Sequence, residues 1–230
     1  MTVSETKMTY SPSRLSTYEK CPKQFYYRYV EELDPGVAPT VEAYLGTCVH
    51  SALETLYRER GKGRTMTMDE LLEAFREEYT ANWDENTRTP DRYRDREACE
   101  IKGKHGLTNY YEGYFQTDDA QTLGLEVEVN FTVAGHEFVG HIDRLARTED
   151  GVYEIHDYKT SRWVPTQEKA REDIQLALYE RAVRDLYPDA HEVRLIWHYV
   201  CKDRTVVVTH AEEEMEEILG TVVEQIETIE

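Results

Sequence analysis

The sequence predicts an α/β protein of mixed α+β type, a central mixed β-sheet flanked by helices, and three observations carry that expectation. Three consecutive runs, Leu123 to Val133, His136 to Arg147 and Val152 to Thr160, read as strands, two of them with apolar and polar residues in clear alternation. Ala134-Gly135 and Asp150-Gly151 join them and suit hairpin turns, so the three make a meander. Helical patterns precede the meander, and a helix, two more strands and a closing helix follow it.

In chain order, residues 12 to 30 read as a short helix and an aromatic segment, 41 to 60 as an apolar helix bearing His50, and 67 to 83 and 92 to 116 as two further helices. After the meander, residues 166 to 187 form a helix, Glu192 to Val200 and Arg204 to His210 two strands, and 211 to 229 an amphipathic closing helix. Loops are expected at Asp34 to Pro39, Gly61 to Arg64 and Asn86 to Asp91. A chain of 230 residues can bury one sizeable core. We expect a single domain over 1–230, with a helical part over 1–118, a catalytic sheet core over 119–210 and the closing helix over 211–229. That closing helix has no glycine or proline stop beyond it, which predicts a longer natural chain.

Composition excludes several classes. Hydrophobic residues make up 40% of the chain, so it is globular despite a formal charge of −19. No stretch approaches the roughly 18 uncharged apolar residues of a membrane span, and no secretory leader is visible, so the expected location is cytoplasmic. Cys21, Cys48, Cys99 and Cys201 are widely separated and form no C-x-x-C, which argues against a zinc knuckle or a disulfide framework.

The chemistry concentrates between Gly140 and Thr160, in GHIDRL and EIHDYKT. Side chains alternate along a strand, so Asp157 and Lys159 share a face while Tyr158 points away. Asp143 and Asp157 are the residues to hold a hard divalent cation, Mg²⁺ or Mn²⁺, whose remaining shell is water and substrate oxygens. Phosphodiester hydrolysis needs an attacking water, neutralisation of charge on the phosphoryl oxygens and help for the leaving oxygen, and a metal with Lys159 supplies all three. Upstream, His50 and Glu54 lie one helical turn apart; downstream, so do Gln175 and Tyr179. Glu54, Glu126 and Glu128 rank below the two aspartates because acids are plentiful here and a surface or supporting role is the default for them.

Five segments in order resemble the RecB-like branch of the PD-(D/E)XK nuclease superfamily. YSPSRLSTYEKCPKQFYYRYV matches its N-terminal signature, GTCVHSALE its G-x-x-x-H-x-x-L-E helix, GHIDRL its G-x-I-D strand, HDYKT its D-Y-K-T strand and QLALY its Q-x-x-x-Y helix, over residues 10 to 200. The resemblance implies a restriction-endonuclease-like sheet and a Mg²⁺- or Mn²⁺-dependent DNA exonuclease of repair or recombination. It implies His50, Asp143, Asp157 and the Tyr158 carbonyl as metal ligands, Lys159 as catalytic lysine, and Gln175 and Tyr179 on the DNA-side wall. Expected partners are single- or double-stranded DNA and a helicase or repair protein, with no membrane. In many such nucleases the Cys-Pro cysteine, here Cys21, helps ligate a [4Fe–4S] cluster with three late cysteines; residues 202 to 230 hold none, so no cluster is expected in this chain.

An acidic chain is an awkward DNA binder, since phosphate affinity comes largely from Lys and Arg. Lys20, Lys23 and Arg28, Lys102 and Lys104, and Arg144, Lys159 and Arg162 stand near the motifs and are the candidates to supply local positive charge, with scattered surface charge as the competing reading. Tyr26, Tyr27 and Tyr29 could stack on bases, although packing on the core is the favoured reading for most of them. Three other functions remain open at this point: a catalytically inactive DNA-binding subunit of a helicase-nuclease complex, an Fe(II) oxygenase built on His141-x-Asp143 with His198 or His210, and an interaction protein working through its acidic surface.

Overall fold

Local rules set the breaks between helices. In this computed structural model, which describes residues 8–34, 36–89 and 95–230, Ser11 caps α1 (Pro12–Lys20) by accepting from the Arg14 N–H at 3.2 Å. Cys21 precedes Pro22 and is driven to an extended conformation, φ −163° and ψ 100°. That ends α1, and Pro22 starts α2 (Pro22–Phe25), which runs on as a π-helical turn through Val30. The expected aromatic segment is therefore helical; Phe25 is buried in it, whereas Tyr26 and Tyr27 are exposed, against the packing expected for most of its tyrosines. Thr40 caps α3 (Val41–Gly61), a Thr67–Glu70 capping box opens α4 (Met68–Ala81), and Asp95 caps α5 (Arg96–Tyr110). Residues Pro35 and Pro90 to Arg94, which fall in two expected loops and at the start of the expected 92–116 helix, lie outside the described residues.

Among the described residues five strands form one sheet in the order β1-β2-β3-β4-β5. β1 (Gln121–Val133), β2 (His136–Arg147) and β3 (Tyr153–Lys159) pair antiparallel as the expected meander, β4 (Val193–Tyr199) runs parallel to β3, and β5 (Arg204–Val208) pairs antiparallel with β4. Ala134 and Gly135 both take positive φ, 48° and 85°, the geometry that matches the twist of a two-residue hairpin. The crossover from β3 to β4 is not the single helix expected over 166–187. It breaks into α6 (Gln167–Arg171) and α7 (Ile174–Leu186), because the Asp173 carboxylate accepts from the Leu176 N–H at 3.2 Å and so begins a new helix.

Helices cover both faces of the sheet. α1, α7 and α8 (Glu212–Ile229) share one apolar core with Leu145, Ile155 and Leu195, while α3, α4 and α5 share another with Tyr158. No helix among the described residues is long and apolar enough to cross a membrane.

The β1–β2 register shifts between Thr122 and Gly124, and plain alternation fails further along both strands. Leu125 packs toward α3–α5, yet Val127, two residues on, packs toward α7; Glu126 between them has φ 47°. On β2, Ile142 and Leu145 are three apart and still enter the same core, so the face switches across Asp143 and Arg144. The ladder pairs Leu125 with Arg144 and Val127 with Ile142, which leaves Glu126 opposite Asp143. Such irregularities re-aim side chains.

On the α3–α5 side of the sheet a buried relay of polar groups runs from Arg144 to His156 Nε2 (3.3 Å), from His156 Nδ1 to His198 Nε2 (3.0 Å) and from His198 to Thr205 (3.5 Å). A guanidinium can only donate, so His156 Nε2 accepts and each ring is a neutral single donor. Burial first, then the charge of Arg144 on His156, and His156 followed by Arg144 on His198, hold both imidazoles well below the ordinary histidine range. As pH falls through about 6.5, the unfolded chain takes up protons that the folded rings refuse, so this pair costs stability on the acid side. We expect the urea midpoint to drop between pH 7.5 and 5.5, and His198→Gln to drop less steeply over that range; parallel profiles for the two proteins would contradict the assignment.

Candidate active site

At the mouth of the β2–β3 pair the two strands separate. Their ladder ends at Arg144 and His156, so Asp143 and Asp157 stand on either side of the fork, and the Tyr158 N–H turns to donate to Asp143 Oδ2 at 2.7 Å. Asp157 and Lys159 do point to the α7 side together, with Lys159 Nζ 2.6 Å from Asp157 Oδ2. From α7, Gln175 bridges the pair: its amide oxygen accepts from Lys159 at 3.4 Å and its amide nitrogen donates to Asp157 Oδ1 at 3.4 Å. The same nitrogen reaches the Tyr179 hydroxyl at 3.3 Å, and that hydroxyl accepts the His141 N–H at 3.4 Å.

One glycine of the motifs, Gly140, allows this approach. A Cβ on Gly140 would lie 2.5 Å from the Tyr179 ring, so only glycine lets α7 settle on β2. A Cβ on Gly46 would meet only Thr160 Oγ1, at 3.4 Å, an ordinary contact, so α3 lies against the end of β3 without needing glycine there. One helical turn after Gly46, His50 sets its Nε2 2.6 Å from the Tyr158 carbonyl and its Nδ1 3.4 Å from Asp143 Oδ2.

The electrostatics are those of crowded, half-dry acids. Burial pushes Asp157 up and Lys159 pulls it down, while Asp143 adds repulsion; the balance leaves it at about 6. Burial would lower His50, but the hydrogen bond and charge of Asp143, and the charge of Asp157, outweigh it and hold the imidazole up at about 9. Lys159 is likewise held above its usual range, since the Asp157 carboxylate outweighs the cost of burying its ammonium. Asp157 Oδ2 is buried and, its ion pair with Lys159 aside, accepts no hydrogen bond of good geometry among the described residues.

The remaining candidates divide. His50, Glu126 and Asp143 each offer a ligand atom within 4.8 Å of the others. Glu126 ranked low in the sequence because acids are plentiful; a local signal was Gly124 two residues before it, a residue that marks irregular strands. Glu54 is ion-paired with Arg58 on its own helix, and Glu128 is exposed beside His141 at 3.6 Å. His198 is committed to the buried relay and His210 to Glu180 at 2.7 Å, so the two-histidine iron triad does not assemble. Of the basic candidates, Arg144 is fully buried and is corrected to a core residue; Lys102 donates to the Thr160 carbonyl at 2.9 Å, and Lys104 pairs with Glu100 at 2.6 Å. Lys20, Lys23, Arg28 and Arg162 are exposed. A groove of about 740 Å³ opens beside the site, lined by Ser11, Ser13, Lys169, Gln175 and Tyr179 among others.

These features can be set beside known proteins. A family model described as the PD-(D/E)XK nuclease superfamily matches residues 9–230. A search of curated proteins found no match. Among solved structures, an exonuclease candidate from Eubacterium rectale is similar over 100% of this chain and 85% of its own at 14% identity, with a TM-score of 0.60. A second, the protein SSO0001, covers 93% of this chain and 86% of its own at 17% identity, with a TM-score of 0.33.

Proposed function

The chain belongs to the PD-(D/E)XK nuclease superfamily, and from that premise we propose that it is a Mg²⁺- or Mn²⁺-dependent deoxyribonuclease of the RecB-like branch, an exonuclease of DNA repair or recombination working in the cytoplasm. The observation that carries the reading is the meeting of Asp157, Lys159 and Gln175 on one face of the sheet beside Asp143 and His50. The five ordered motifs support the branch. The exonuclease assignment draws on the description of the E. rectale protein, whose likeness to this chain is one of fold.

The donor set suits a hard divalent ion. Two carboxylates repel each other across the fork, and a buried carboxylate oxygen of Asp157 has its ion pair with Lys159 and no further hydrogen bond among the described residues, so a cation relieves the repulsion and adds a partner. Asp143 and Asp157 would hold it, with His50 and the Tyr158 carbonyl as the further ligands the resemblance implies. When bound, such an ion polarises the phosphoryl group and lowers the pKa of a water.

The chain's own residues do the rest. Lys159, steadied by Asp157 and Gln175, aims its ammonium at the space above the fork, where it orients the attacking water and balances charge on the phosphoryl oxygens. Tyr179 and Gln175 form one wall of the groove in which a strand would lie, and Ser11, Ser13 and Lys169 offer phosphate contacts along it. The acidic balance of the chain and the few cations in that groove predict weak, strongly positioned binding in place of tight electrostatic capture. A helicase or repair protein as partner belongs to the same proposal.

Incubation with end-labelled single- and double-stranded DNA, linear and circular, tests the reading. Degradation in Mg²⁺ or Mn²⁺ and none in EDTA is the expected result, with circles resistant if ends are required. Binding without cleavage under every metal condition would favour an inactive DNA-holding subunit.

A further inference from the structure

We propose that Trp163, on the turn that carries the chain from β3 to α6, is a stacking platform for an unpaired base of the DNA strand being cut, with Arg162 beside it for a neighbouring phosphate. This rests on the nuclease reading above and deepens it: the strand at the site is single, and it is gripped through a base as well as through its backbone.

Exposure is the first observation. Trp163 is 87% exposed, the barest large apolar side chain among the described residues, with Ile101 next at 61%. The other two tryptophans are packed, Trp197 in the core and Trp83 against Tyr44 and Tyr79, whereas the Trp163 ring enters neither apolar core. A lone apolar side chain on a surface needs no explanation. Its placement does.

The turn that presents it is tied at both ends. Lys102 of α5 donates to the Thr160 carbonyl at 2.9 Å, and the Ser161 hydroxyl donates to the Trp163 carbonyl at 3.0 Å. Val164 packs into the α7-side core, and Thr166 caps α6 by accepting from the Lys169 N–H at 3.3 Å. The turn therefore crosses the end of β3 from the α5 side to the α7 side, with Trp163 on the crossing. A ring with two rotatable bonds on a fixed backbone loses little freedom when a base covers it.

Chain length sets its distance from the chemistry. Lys159 is four residues away, so the two Cα atoms are at most about 14 Å apart. At about 3.4 Å per stacked nucleotide, the base on Trp163 lies within about four nucleotides of the bond being cut.

The surroundings suit a nucleic-acid strand. Arg162 is exposed beside the ring, and Lys169, also exposed, lines the adjoining groove. An aromatic face takes a base while flanking cations take phosphates, and only an unpaired base offers its face. A protein hot spot would instead be ringed by contacts that exclude water, and the exposed neighbours of Trp163 are Ser161 and Arg162. In a groove with few cations, a base contact also supplies affinity that the backbone contacts do not.

The test is cleavage by the whole protein in Mg²⁺ of labelled single-stranded oligonucleotides, comparing wild type with Trp163→Ala and Trp163→Tyr. Each substrate is made intact and with one abasic linker at successive positions near the end that is cut. Trp163→Ala should raise KM roughly 5- to 150-fold, the range for one base on one ring, with kcat little changed. Trp163→Tyr should recover most of that loss, blunt duplex should suffer less than single strands, and the melting temperatures should stay together because the exposed ring supports no core. One abasic position should weaken cleavage by wild type and cost Trp163→Ala nothing further, since ring and base form a single contact. A wild-type KM in Trp163→Ala, equal losses on single strands and blunt duplex, or ring and base losses that multiply at every position would overturn the platform and leave the nuclease reading intact. A wild-type protein that cuts no DNA with any divalent metal overturns both.

Discussion

Lys159→Ala will fold, bind DNA and cleave it at least about 10²–10³-fold more slowly than wild type, the loss typical of removing a group aimed at transition-state charge. The ammonium is half-enclosed and held by two partners, Asp157 Oδ2 at 2.6 Å and Gln175 Oε1 at 3.4 Å, so its position is set before substrate arrives. Its removal also strips the counter-charge from Asp157. Burial already pushes that carboxyl up to about 6, and without the opposing pull of Lys159 it rises further, so part of the defect in the variant is a weaker cation site. The two contributions separate with pH and metal: raising both restores Mn²⁺ binding to Lys159→Ala, and the single-turnover rate stays low. Lys159→Arg should also fail, because a planar guanidinium cannot occupy the gap between Asp157 and Gln175 as a compact ammonium does. A Lys159→Ala protein that cuts within tenfold of wild type at saturating metal would remove this residue from the chemistry.

How much of this was legible depends on whether a residue obeys the period of its element. Asp157 and Lys159 sit on a regular strand and Gln175 and Tyr179 on a regular turn of helix, so spacing alone puts each pair on one face. Gly46 and Gly140 could be read as motif members, but what Gly140 accommodates, the Tyr179 ring, is a matter of packing between distant elements. The Cys21-Pro22 break and the Asp173 cap follow from local rules that were available in the sequence. The turnover of faces at Glu126 and Asp143 was not available, because it is a property of two paired strands together; a period of two predicts the wrong side for everything beyond it. Arg144, a candidate for local positive charge by its place in the motif, is buried in the core for that reason.

Arg144 carries the second large effect. Its side chain is fully buried, 2.8 Å from Asp118 Oδ2, with further donations to Thr122 Oγ1 at 2.9 Å and the Ala120 carbonyl at 3.2 Å, and it lies over the Tyr57 ring. Arg144→Met keeps most of the volume and removes the charge. Asp118 then remains buried with Arg60 at 3.4 Å, the Tyr57 hydroxyl at 2.8 Å and the Ala120 N–H at 3.2 Å to answer it. Breaking a buried pair from one side costs about 3–5 kcal/mol, and those three surviving partners put this case near the lower end. Because the residue lies on the face of the sheet away from Lys159 and Gln175, the folded fraction should keep its cleavage rate. Adding Asp118→Asn to the variant should recover a good part of the loss, since it removes the stranded charge while leaving hydrogen-bonding atoms for Tyr57 and the Ala120 N–H. The same substitution takes a positive charge away from His156 and His198, so the acid-side fall in stability should become shallower in Arg144→Met. Urea denaturation of the single and double variants at pH 7.5 and 5.5 measures all three effects. A single-variant loss under about 1 kcal/mol would mean that Asp118, not the ion pair, dominates this core, and a recovery absent from the double variant would mean that packing against Tyr57 does.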